Sequence, residues 1–144
     1  MDLNNDGNLD ILSGSYSRDD SPMAGLFQVL WGQAGRAFAP PKPLLGTDDE
    51  PLIIPPSEAD ERGYFESICT RPMAVDWDRD GDLDLVVGNF QGNFNLFRGE
   101  GDGGFLPQPE PIMAGSKPLG CQRSVQRPAG CAPRNWACCG ASSC

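Results

Sequence analysis

The sequence predicts an all-β protein made of antiparallel hairpins, with one structural unit used twice. Three observations point there. An acidic loop leading into an apolar run occurs twice: residues 76–84 precede Leu85-Val86-Val87-Gly88, and residues 2–10 precede Ile11-Leu12-Ser13-Gly14. The residues downstream recur as well, because Gly25, Phe27, Val29-Leu30, Gly32 and Phe38 are matched by Gly92, Phe94, Leu96-Phe97, Gly99 and Phe105. The 18 Gly and 14 Pro suit many turns and few helices. A recurrence of this kind outranks any single motif in setting the fold.

The two copies are offset by 74 residues up to Tyr16/Phe90 and by 67 from Gly25/Gly92 onward. The difference falls on Ser17 to Met23, a polar stretch with Pro22 that reads as an insertion at a hairpin tip. Apolar and aromatic runs place strands at Leu9–Leu12, Leu26–Trp31, Met73–Val75, Leu83–Val87 and Asn93–Arg98. Gly32 to Gly35 reads as a turn, and Phe38 starts a Pro-rich extended segment. The repeats cover about 2–46 and 72–118, joined by 47–71. In that linker Asp48-Asp49-Glu50 and the acidic stretch from Glu58 to Glu61 read as solvated loop, and Tyr64-Phe65 and Ile68-Cys69 as core or edge contacts.

The acidic loops carry the chemistry. Asp76, Asp78, Asp80, Asp82 and Asp84 stand at every second residue. In an extended chain they would share one side. Two carboxylates ~4 Å apart repel by about 4 kcal/mol at an effective dielectric of roughly 20, so five together call for a cation. Gly81 gives the loop a residue that adopts positive φ freely and can turn oxygens inward. Hard oxygen ligands on a flexible loop favour Ca²⁺ over Zn²⁺ or Cu²⁺. The first loop repeats the pattern with Asp2, Asn4, Asp6, Gly7, Asn8 and Asp10. A single acidic turn of this kind reads equally well as solvated surface; two copies with the same downstream strand favour Ca²⁺. An EF-hand needs Glu at the twelfth loop position and flanking helices, whereas the twelfth residues here are Val87 and Ser13 and strands follow.

Composition removes several function classes. The net charge of −9 disfavours nucleic acid and anionic membrane surfaces as partners. The absence of histidine excludes His-dependent triads and His-bound zinc. No run of 18 apolar residues spans a membrane. Met1 abuts the first loop, with no secretory signal and no room for the strand that Pro72-Met73-Ala74-Val75 supplies before the second. The chain therefore reads as a piece of a longer protein or as a gene model started late.

The two loops of the form Asp-x-[Asp/Asn]-x-Asp-Gly-x-Leu-Asp, each followed by Ile/Leu-Leu/Val-x-Gly, resemble FG-GAP or VCBS-type repeats over about residues 2–118. The resemblance implies blades of a calcium-binding β-propeller, here about two of them. It implies side-chain ligation by Asp76, Asp78, Asp80 and Asp84 with the Asp82 carbonyl, and by Asp2, Asn4, Asp6 and Asp10 with the Asn8 carbonyl. It further implies an extracellular or cell-surface location and a protein or carbohydrate ligand held by the full propeller. A propeller closes with about 4–8 blades, more than this chain holds.

Residues 119–144 change character. Residues 111–144 carry Lys117, Arg123, Arg127 and Arg134 and no acid, and five of the six cysteines lie after Leu119. Cys121, Cys131, Cys138, Cys139 and Cys144 contain no Cys-x-x-Cys pair, which disfavours zinc. Disulfides, with Cys69 as a sixth partner, require an oxidising compartment. The reading preferred here is a tail that is unstructured or translated out of frame and does not pack as a domain.

Three functions follow: a calcium-stabilised binding or adhesion fragment, scaffold for an enzyme, and a non-functional product of a broken frame. The first is preferred. The acids fall into metal-loop spacing and leave no isolated acid–base pair, so the chain is expected not to be an enzyme. Two repeats are few for a repeat fold, so Ile11, Leu12, Phe27, Val29, Leu85, Val86, Leu96 and Phe97 are expected to be partly wet.

Overall fold

The computed structural model describes residues 1–16, 24–54 and 69–120. The expectations for the insertion at 17–23, for Glu58 to Glu61, Tyr64-Phe65 and Ile68, and for the five tail cysteines lie outside these residues. Among the described residues every regular element is a strand: β1 (Ile11–Ser13), β2 (Gln28–Leu30), β3 (Gly32–Gln33), β4 (Ala37–Phe38), β5 (Lys42–Pro43), β6 (Arg71–Val75), β7 (Asp84–Gly88), β8 (Phe94–Phe97), β9 (Glu110–Pro111), β10 (Met113–Ala114) and β11 (Lys117–Pro118). The protein is all-β. Its sheets are open and antiparallel: β1-β2-β5, β6-β7-β8-β9 and the small hairpins β3-β4 and β10-β11.

The repeat is reproduced in register. Ile11 faces Leu30 and Leu12 faces Val29 in the first unit, as Leu85 faces Phe97 and Val86 faces Leu96 in the second. Backbone conformation repeats too. Asn5 (φ 57°) and Arg79 (φ 67°) have positive φ, as have Gly7 (87°) and Gly81 (100°). One residue is inserted before the outer strand, since Gln28 pairs with Pro43 but Asn95 with Pro111.

The strands begin and end within two residues of the expected positions, and the shifts have a cause. The first strand starts after Asp10, not at Leu9, because Asp10 is turned inward and buried. Leu26 sits outside β2 and bridges Ile53 instead. Gly32 and Gln33, expected in a turn, instead form β3 opposite β4, with Gln33 facing Ala37, and the turn lies at residues 34–36.

The two units share one core. Phe27, Val29, Leu3 and Leu44 of the first pack with Leu85, Val87, Phe97 and Phe105 of the second. Phe27 and Phe97 meet edge to face at a ring-centroid distance of 5.7 Å, a favoured aromatic geometry. The expectation of wet faces is therefore corrected for Phe27, Val29, Leu85, Leu96 and Phe97, all buried. Each unit covers one face of the other. The outward faces stay open, with Ile11 46% and Met73 58% exposed. Leu52 and Ile54, in the linker, also join the core. The units are tied further by Thr70, whose N–H donates to the Ser15 carbonyl at 3.0 Å, and by the Thr47 N–H donating to the Phe105 carbonyl at 2.9 Å.

Candidate metal centre

The second loop joins β6 to β7, so its two ends are held by paired strands, Val75 opposite Asp84. With Arg79 and Gly81 at positive φ the loop curls instead of running extended. The curl gathers Asp76, Asp78 and Asp80, whose ligand oxygens lie within 4.8 Å of one another. Asp80 Oδ1 accepts the Asp82 N–H at 2.9 Å. Asp76 Oδ1 is buried and has no hydrogen-bond partner. A buried carboxylate oxygen left unpaired is costly, and this one belongs to the acidic group. Together these three side chains could hold a metal ion.

Asp82 and Asp84 stand apart from that group. The Asp82 carboxylate lies beside Gly101, where an added Cβ would sit 3.1 Å from Oδ1. Asp84 is buried. Its Oδ2 accepts the Trp77 N–H at 3.0 Å and its Oδ1 the Gly99 N–H at 2.8 Å. It thus fastens the loop's start to Gly99, two residues past the end of β8.

The first loop is built the same way at this position. Asp10 Oδ2 accepts the Leu3 N–H and Oδ1 the Gly32 N–H, both at 2.7 Å. Asp10/Asp84 and Leu3/Trp77 are 74 residues apart and Gly32/Gly99 are 67 apart, the two offsets of the repeat. Elsewhere the first loop satisfies itself. Asp2 accepts the N–H groups of Asp6 and Gly7 at 3.1 and 2.8 Å. Asn4 Oδ1 shares the Asp6 N–H, and Asn4 Nδ2 donates to Asp6 Oδ2 at 3.2 Å. Asp6 Oδ1 accepts the backbone and side-chain N–H groups of Asn8 at 2.8 and 3.0 Å. The Asn8 backbone N–H, foremost, holds the Asp6 carboxyl below the ordinary aspartate range.

Sequence reasoning missed three residues at the site. Gly32 and Gly99 were visible as matched positions, but their contact with the ninth loop residue was not. Arg98 gave no signal. Its Nη1 meets Asp78 Oδ2 at 2.8 Å and lies 4.0 Å from Asp84 Oδ2, while its Nε is 3.7 Å from Glu110.

No curated protein and no solved structure matches the chain. Residues 76–122, which begin at the second acidic loop, match the family model of the FG-GAP-like repeat and are similar to an FG-GAP-type repeat.

Proposed function

We propose that the chain is a calcium-binding piece of a β-propeller-type repeat domain, from an extracellular or cell-surface protein that binds other proteins or carbohydrates. The gathering of Asp76, Asp78 and Asp80, with Asp76 Oδ1 buried and without a hydrogen-bond partner, carries this reading. Asp76, Asp78 and Asp80 would hold the ion in the second loop, and Asp2, Asn4 and Asp6 in the first. Bound there, Ca²⁺ supplies the positive charge that offsets the clustered carboxylates. The role is structural: the loop's residues stay curled, and the hairpins they join keep their register. The acids have metal-loop spacing and no separate acid–base pair, which favours binding over catalysis. Among the described residues no helix is long and apolar enough to cross a membrane.

Terbium luminescence tests the reading. Wild-type protein should sensitise Tb³⁺ through Trp77, which lies within the loop, and unlabelled Ca²⁺ should compete. Asp80→Ala should lose most of the second-loop signal. Equal signals from both proteins would remove the assignment.

A further inference from the structure

We infer that Arg98 is a built-in counter-ion of the second loop, competing with the divalent cation for Asp78; this rests on the calcium reading above. The observations are positional. Arg98 follows β8, its carbonyl accepts the Leu106 N–H at 2.8 Å, and its neighbour Gly99 is fastened to Asp84. The backbone is thus fixed where the side chain leaves it. The guanidinium lies between Asp78 at 2.8 Å and Glu110 at 3.7 Å, with the buried Asp84 carboxylate 4.0 Å away. Asp78 is one of the three clustered carboxylates. The same backbone position in the first unit is Trp31, whose carbonyl accepts the Ala39 N–H at 2.8 Å. Trp31 is packed by the second unit, since a Cβ added at Gly103 would lie 2.8 Å from its ring. The two loops therefore share a backbone and differ in their internal charge.

Two consequences follow. Without metal, Arg98 offsets the repulsion among Asp76, Asp78 and Asp80, so the second loop keeps its curl. With metal, Asp78 turns to the ion and Arg98 is left to Glu110, its other acidic neighbour. The second loop then gains less from an ion than its charge count implies, and its occupancy is set by a contest between two cations.

The test compares the wild-type chain, Arg98→Gln and Arg71→Gln. Arg71 lies at the end of β6 away from the loop, opposite Gly88. Competition of Ca²⁺ against Tb³⁺ should show Arg98→Gln binding Ca²⁺ about two- to fivefold tighter than wild type, the range expected for one exposed ion pair. Arg71→Gln should bind as wild type does. In chelator, Arg98→Gln should melt below wild type. In wild type, the Arg98 Nε–H resonance should shift as Ca²⁺ is added, a readout that does not depend on the variant folding. Equal affinities in wild type and Arg98→Gln, an equal gain in Arg71→Gln, or an unmoved Arg98 resonance in a protein that binds Ca²⁺ would overturn the inference and leave the calcium reading standing. Failure of wild type and Arg98→Gln alike to bind would overturn both.

Discussion

Asp84 accepts the backbone N–H of Gly99 through Oδ1 at 2.8 Å, and Asp10 accepts that of Gly32 in the same way at 2.7 Å. In each unit a buried carboxylate joins the start of the acidic loop to the end of the second strand. The ninth loop residue is thus a fastening of the fold, whatever it contributes to an ion.

Asp84→Asn should destabilise the metal-free protein. The amide keeps one acceptor and turns its NH₂ toward a backbone donor, leaving a buried N–H unpaired. The cost is about 1–3 kcal/mol. Chemical denaturation in chelator measures it. A loss seen only with Ca²⁺ present would contradict the fastening role.

Gly99→Ala and Gly32→Ala should each destabilise by about 1–3 kcal/mol, as small-to-large changes in packed sites do. The new Cβ would collide with the backbone carbonyl oxygen of Leu83 in one case and of Leu9 in the other. Backbone cannot yield as a side-chain tip does. Thermal melts of both variants check this, and wild-type stability in either would refute it.

Phe97→Ala should cost about 3–5 kcal/mol, the range for removing a buried phenylalanine, and should loosen both units together. Phe97 is fully buried and meets Phe27 across the shared core. Amide exchange should accelerate in β2 as well as β8. Faster exchange confined to the second unit would show that the units do not share a core.

Much of the architecture was legible in the sequence because the repeat was. The β7 strand shows the alternation of a sheet with one covered face, Leu85 and Val87 buried and Val86 only half so. Gly81 at positive φ was read from residue type alone. Arg79 in the left-handed region was not, because an arginine gives no local sign of it. The five aspartates looked equivalent in sequence. They separate only once the curl at Arg79 and Gly81 breaks the extended alternation, gathering Asp76, Asp78 and Asp80 and burying Asp84. Leu52 and Ile54 were hidden by flanking acids and prolines, which read as loop. The Arg98–Asp78 pair spans 20 residues and depends on how β8 crosses the loop, information that no local pattern holds.

The central claim is that residues 76–84 form a site for a hard divalent cation. A Ca²⁺ titration followed by amide NMR tests it residue by residue. The account predicts saturable shifts concentrated at Asp76 to Asp82, with the Gly99 amide still protected by Asp84 before and after addition. Shifts spread evenly over exposed acids such as Asp48, Asp49 and Glu50, without saturation at the loop, would contradict it.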